Sequence, residues 1–396
     1  MNIEITPHRL SGQIAAIPSK SDAHRLLILA AIADTPTFIG CPSTSKDIDA
    51  TASVLRGLGA KVERVDDGFR VEPITAPPSE LVTLDCGESG STLRFLLPVA
   101  AAVGANAKLI GSGRLGDRPM LPLTEALRAG GVTVSADALP IEISGKLRPG
   151  EYALPGNISS QFISGMLMAL SALGGGSVHL TTSLESAGYV DMTIRSLERF
   201  GGKVERIDNT FTVSGTLRSP GEVNAEGDWS AATFWFEANA FGSHIETEGL
   251  DLSSAQPDSV APSLIKKLGG VIDVSGAPDL FPALALAATA APAPTTFVGG
   301  ARLRLKESDR IATTAAAIRA LGGVCRETED GLVIEPTPLT GGEVDGANDH
   351  RIVMAAAVAA AHANGKTVIR GAEAASKSYP SFFEDFKRLG GKCNEL

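Results

Sequence analysis

Aromatic residues are scarce in this chain, at 5% of 396 residues, and cysteine is scarcer still, with four. Cys41, Cys86, Cys325 and Cys393 are scattered without paired spacing, which gives no zinc signal and fits a reducing compartment. The six histidines form no metal-spaced cluster. Positive charge is in deficit: 35 Lys and Arg against 45 Asp and Glu leave a formal net charge of -10. That argues against broad nucleic-acid binding, which needs a basic surface. Any anionic ligand must be held by a local group of cations or by helix ends. The Ala-rich apolar runs fall short of the roughly 18 to 20 residues that span a bilayer. The opening MNIEITPHRL has neither the apolar core of a signal peptide nor the Arg/Ser bias of a transit peptide. A cytoplasmic protein, not associated with membrane, is expected.

Glycine is abundant, at 43 residues, and much of it recurs in one pattern. LERFGGKVERIDNTFTVSG, from Leu197, reads as a helix end, a glycine stop and a β-hairpin. Related stretches begin at Leu55, Leu127, Ile265, Ile318 and Phe386, and the second glycine or its equivalent falls at 60, 131, 202, 270, 323 and 391. The period is too long for a solenoid and suits a compact α/β unit. Each of the six units also has a more apolar helix, starting near Ser21, Ser91, Ser160, Ser230, Asp279 and His350, that reads as buried. Three units precede about Gly221 and three follow. Met1 to Thr6 is a lone strand, and the last unit stops at Leu396 after one strand. The N-terminal strand is therefore expected to complete the sixth unit. That gives one domain over 18–226 and a second over 1–17 plus 227–396, with a hinge at the two crossings.

The residues that open the buried helices are polar. Capping explains Ser91 and Ser230, but not Lys20 or Arg351, because cations are disfavoured at the positive end of a helix. A cation there implies an anion beside it. The densest charged run is Lys306-Glu307-Ser308-Asp309-Arg310, between a short strand and a helix. Taken alone, such a run also fits a solvated helix start, Lys377 a solvated loop lysine and Asp279 a simple cap; His24 and His350 read as structural. Gly111-Ser112-Gly113-Arg114-Leu115-Gly116 matches GxGxxG, but Pro119 and Pro122 interrupt the helix that a dinucleotide site needs.

In these motifs the chain resembles the 5-enolpyruvylshikimate-3-phosphate synthase family over nearly its whole length. The matching residues are Lys20-Ser21 with Arg25, the loop from Gly87 to Arg94, Arg118-Pro119, Ser159-Ser160-Gln161, Ser186 to Tyr189, Asp279, Lys306 to Arg310, Asp349-His350-Arg351 and Lys377. The resemblance implies an α/β fold, an inverted α/β-barrel-like pair of domains each built of three βαβαββ repeats, with the active site in the cleft. It implies transfer of the enolpyruvyl group of phosphoenolpyruvate to the 5-hydroxyl of shikimate 3-phosphate by addition and elimination, with no metal or organic cofactor. Phosphoenolpyruvate would be held by Lys20, Gly90, Arg118, Gln161, Arg310, Arg351 and Lys377. Shikimate 3-phosphate would be held by Lys20, Ser21, Arg25, Ser159, Ser160, Gln161, Ser186, Tyr189, Asp279 and Lys306. Asp279 is the expected acceptor of the 5-hydroxyl proton. Glu307, with Lys20 or Lys377, is expected to move the proton at the phosphoenolpyruvate methylene. Gly90 leaves room for the inhibitor glyphosate, and a monomer is expected.

Two residues depart from the family pattern: Glu88 stands where Asn is common, and Arg302 where some members have Asn. Other readings exist. The sister enolpyruvyl transferase of UDP-N-acetylglucosamine usually has a loop cysteine where this chain has Gly113. A non-catalytic binder of phosphorylated metabolites would need the cations but not Asp279 and Glu307 together. An RNA-end-processing relative with similar repeats fits the acidic balance poorly.

Overall fold

Helix Ala187–Arg199 ends as its sequence suggests, with Gly201 in the left-handed region (φ 77). The chain then forms strands Lys203–Ile207 and Thr210–Ser214, paired antiparallel from Lys203↔Ser214 to Ile207↔Thr210. In this computed structural model, which describes residues 1–396, the same antiparallel pair recurs in five four-stranded sheets, as a hairpin in four and as Asn2–Thr6 with Lys392–Glu395 in the other. Each sheet follows one plan. In the sheet of Val82–Asp85, Ala107–Ile110, Thr133–Val134 and Ile141–Ser144, the first two strands pair in parallel. The last two form a hairpin, and its second strand lies against Ala107–Ile110.

The chain divides into one unit over 20–225 and a second over 1–19 plus 226–396. Unit 20–225 closes its own first sheet: Glu222–Asn224, at its end, pairs in parallel with Thr37–Gly40, near its start. In the other unit, Asn2–Thr6 lies between Thr367–Arg370 and Lys392–Glu395, with Ile3 opposite Ile369 and Ile5 opposite Cys393. The N-terminal strand thus completes the sixth sheet, as the lone-strand argument requires. The two crossings run side by side, joined by a Pro18↔Gly227 bridge and the Ser19 N to Glu226 O bond of 2.7 Å.

The fourth repeat departs from expectation. IKKLGGVIDVSG was read as a helix end followed by a hairpin, but helix Ala261–Ile265 is short and Val271–Asp273 is the first strand of the next sheet. Only a few residues separate Val271–Asp273 from the turn at Pro278–Leu280, too few for a second strand. The fourth sheet therefore has two strands, Ser11–Ala15 and His244–Glu248.

Helices Lys20–Ala31, Gly90–Val103, Ser160–Ala172 and His350–Ala361 are buried almost all round. Their partners, such as Lys46–Gly57 and Ala187–Arg199, bury one face. Each unit has its own core: Phe95, Phe162 and Met166 belong to one. In the other, Trp235 stacks on Phe382 at 5.4 Å between ring centroids. The buried helices are held rigidly, and their first turns carry the polar residues singled out above.

Candidate active site

In the unit that holds both termini, Asp279 sits in a short 3₁₀ turn, Pro278–Leu280, and makes no capping bond. Its carboxylate instead collects three cations. Arg310 Nη1 donates to Oδ1 at 2.9 Å, Arg351 Nη2 to Oδ2 at 2.8 Å, and Lys306 Nζ lies 3.4 Å from Oδ1. Arg310, 1% exposed, also donates to Glu307 Oε2 at 2.7 Å and, through Nε, to Asp349 Oδ2 at 2.8 Å. Asp349 caps helix His350–Ala361 by accepting from Arg351 N, and it accepts from Ser308 Oγ at 3.0 Å. Lys377 Nζ donates to Asn348 O at 2.6 Å. Ala347 and Asn348, just before Asp349, both hold φ 51, a left-handed backbone that is costly for alanine and tolerated by asparagine.

The charges account for the titration of this cluster. Burial alone would raise Asp279, but Arg351, Lys306 and Arg310 hold it well below the usual carboxylate range. Burial opposes Asp349 ionisation too, and Arg310 overcomes it, leaving its carboxyl lowered. Burial lowers Lys306, with Asp279 opposing. Behind Asp279 lies a carboxylate that sequence reading missed. Asp258 accepts from Ser230 Oγ, and burial and the charge of Asp279 push it up to about 6. Ser230, read as a cap, is therefore a partner of Asp258; Asp228 makes the cap, accepting from Ala231 N at 2.7 Å.

Unit 20–225 presents a second cluster. Lys20 opens helix Lys20–Ala31, and Asp47 answers it with a carboxylate oxygen at 2.8 Å. Arg25, 2% exposed, is anchored through every nitrogen: Nε to Thr193 Oγ1 at 2.8 Å, Nη1 to Ser21 O at 2.5 Å, and Nη2 to Tyr189 O at 2.7 Å. Burial lowers its pKa to about 10, so it stays charged at neutral pH. Ser186 holds φ 53 and ψ 46 ahead of helix Ala187–Arg199. Ser159 caps helix Ser160–Ala172. Gln161 accepts from Arg94 Nη1 and donates to Ser91 Oγ, both at 3.0 Å. Ser91, read as a cap, has this role instead, and Ser89 caps helix Gly90–Val103. A Cβ at Gly90 would lie 2.5 Å from Arg118 Nη1, so only glycine admits the guanidinium so close to the backbone.

Within their units, the predicted cations and carboxylates thus gather into two groups: Asp279, Lys306, Glu307, Arg310 and Arg351 in one, and Arg25 with Ser21 and Tyr189, and Gly90 with Arg118, in the other. Asp47, Thr193, Asp258 and Asp349 are the partners that hold them; of these only Asp349 lies in a motif, and nothing local marks the other three.

Comparison with known proteins settles the family. The family model for EPSP synthase (3-phosphoshikimate 1-carboxyvinyltransferase) matches residues 5–276 and 260–386. The chain belongs to the EPSP synthase family. The 3-phosphoshikimate 1-carboxyvinyltransferase of Clostridium acetobutylicum is 40% identical over 420 residues, covering 99% of this chain and 98% of that one. The enzyme of the same name from Methanocorpusculum labreanum is 36% identical, with 100% of both covered. EPSP synthase from Acinetobacter baumannii superposes with a TM-score of 0.82 at 26% identity, covering 100% of each chain. The two stretches matched by the EPSP synthase family model meet over 260–276, where the fourth repeat lacks its hairpin.

Two details bear on the sister family. Gly113 holds φ 57, and a Cβ there would lie 2.5 Å from Glu88 Oε2. A side chain at 113 would be strained by this backbone and would require Glu88 to shift. The Glu88 carboxylate is turned against Gly113. Arg302, the other departure, donates to Ser275 O at 3.4 Å.

Proposed function

We propose that Asp279, Glu307 and Lys20 carry the proton transfers by which this member of the EPSP synthase family moves the enolpyruvyl group of phosphoenolpyruvate to shikimate 3-phosphate. In the addition step the 5-hydroxyl oxygen bonds to C2 of phosphoenolpyruvate. Asp279 takes the hydroxyl proton, and the C3 methylene receives one from Glu307 assisted by Lys20 or Lys377. In the elimination step the C3 proton returns, the C2–O bond to phosphate breaks, and phosphate leaves. Lys20, Gly90, Arg118, Gln161, Arg310, Arg351 and Lys377 hold phosphoenolpyruvate. Lys20, Ser21, Arg25, Ser159, Ser160, Gln161, Ser186, Tyr189, Asp279 and Lys306 hold shikimate 3-phosphate.

The observation that supports this reading is the trio of cations on Asp279. A carboxylate so strongly paired is a weak base. An incoming phosphate or carboxylate competes for the same N–H donors, and each cation that it draws away raises Asp279 toward a pKa useful for proton abstraction. Substrate binding then arms the base. Asp279→Asn keeps the shape and removes the base. Turnover should fall about 10²- to 10⁴-fold, with a smaller loss of shikimate 3-phosphate affinity measured by calorimetry. Near-normal turnover would contradict the role.

The close approach at Gly90 also favours inhibition by glyphosate beside the phosphate subsite when shikimate 3-phosphate is present; an insensitive enzyme would refute it. No helix is long and apolar enough to cross a membrane. With small soluble metabolites as substrates, the reading places a monomer in the cytoplasm, in the pathway to aromatic amino acids.

A further inference from the structure

One turn beyond Lys20, His24 is fully buried and its Nδ1 lies 2.7 Å from Thr51 Oγ1. Thr51 Oγ1 lies 2.7 Å from Thr92 Oγ1, and Thr92 Oγ1 donates to Ser89 Oγ at 2.8 Å. None of the four side chains is more than 1% exposed. The order of protons follows from valence. Thr92 has one hydroxyl hydrogen, directed at Ser89, with Asp47 O a longer alternative at 3.4 Å. Thr51 must therefore donate to Thr92, and it can then only accept from His24. The imidazole hydrogen is on Nδ1, and buried Nε2, without a hydrogen-bond partner, carries the lone pair. Burial, helped by the charges of Lys20 and Arg25, keeps the ring neutral. Ser89 Oγ also accepts from Thr92 N at 3.2 Å, so both of its acceptor sites are used.

The result is a one-way chain from helix Lys20–Ala31, through helix Lys46–Gly57, to the opening of helix Gly90–Val103. Asp47, on the same helix as Thr51, holds Lys20 with its carboxylate. One buried network thus ties Lys20 to the turn that carries Gly90. We propose that His24, Thr51, Thr92 and Ser89 are positioning residues for phosphoenolpyruvate, fixing the Gly87-to-Gly90 turn and Lys20 in register against Arg118. This rests on the reading above that Lys20, Gly90 and Arg118 hold phosphoenolpyruvate. The chain works only when every link is made, because hydroxyls in series polarise one another and a broken link strands a buried donor.

Thr51 is the central link and the cleanest cut. Thr51→Val keeps the shape without the hydroxyl, and Thr51→Ser restores it. Steady-state KM values for both substrates are the readout, with circular dichroism to confirm folding. If the valine variant fails to fold, Thr51→Ala makes the same cut. The valine variant should raise the KM for phosphoenolpyruvate about tenfold, raise that for shikimate 3-phosphate less, because that substrate shares only Lys20 with this network, and recover with serine. An unchanged phosphoenolpyruvate KM, an equal rise for both substrates, or a serine variant as impaired as valine would overturn the proposal. A wild-type enzyme that releases no phosphate with shikimate 3-phosphate would instead sink the underlying reading.

Discussion

Arg310 shows how one buried residue organises its surroundings: with 1% exposure it meets Asp279, Glu307 and Asp349 at once. Removing a partner from such a cluster leaves an uncompensated charge, which costs more than the pairing is worth. Glu237 is the opposite case. It is fully enclosed on helix Trp229–Ala240, neither carboxyl oxygen has a hydrogen-bond partner, and burial pushes its pKa well above the ordinary value. In the unfolded chain a glutamate ionises near 4.3. Above that pH the unfolded state binds fewer protons than the folded one, so stability falls as pH rises toward the folded pKa. Glu237→Gln keeps the shape and does not ionise. Its Tm should gain on wild type steadily as pH rises above about 5. A difference independent of pH would mean that Glu237 is already ionised and paired. The charged motifs of the site were legible because Lys306 to Arg310 and Asp349 to Arg351 are dense local runs. Asp47, Asp258 and Thr193 were not, because each acts only through a partner distant in sequence: Thr193 through Arg25, for example.

The hairpin missing from the fourth repeat has a local consequence. His244 N donates to Leu10 O and Ala16 N to Glu248 O, so alternation turns Ile245 and Thr247 toward the edge that a hairpin covers in the other sheets. Asn239 stands in for the absent strand. Its amide donates to Ile245 O and accepts from Ile245 N, both at 2.8 Å. A groove of about 610 Å³, lined by Gly12, Gln13, Asn239 and His244 among others, runs beside it. Exposed strand edges invite pairing with another chain. Asn239→Ala should therefore produce larger species than wild type in light scattering, with turnover unchanged; a variant of the same mass as wild type would contradict the role. The hairpin pattern was legible in four repeats because a glycine stop and alternating apolar residues specify it locally. It misled in the fourth because VIDV looks like any strand, and local pattern does not say which sheet a strand joins. Spacing did carry the signal: from Gly270 to Gly323 is 53 residues, against 71 from Ala60 to Gly131.

At the scale of the molecule, the two units differ in how they are closed. Unit 20–225 is continuous, has its own core, and completes its first sheet with Glu222–Asn224. Expressed alone, 20–225 should unfold cooperatively on heating, and a fragment ending at 218 should melt at lower temperature for want of that strand; equal midpoints would show the strand to be dispensable. The other unit is discontinuous, since Asn2–Thr6 is an inner strand of its last sheet. An anionic substrate pair also presents a problem to a chain of net charge -10. The proposed site answers it locally, with carboxylate-paired cations at helix starts in both units. The most direct test of the account is phosphate release from phosphoenolpyruvate with shikimate 3-phosphate, UDP-N-acetylglucosamine or no acceptor. Release with shikimate 3-phosphate alone is the predicted result. Release with the sugar nucleotide alone, or with neither, would contradict it.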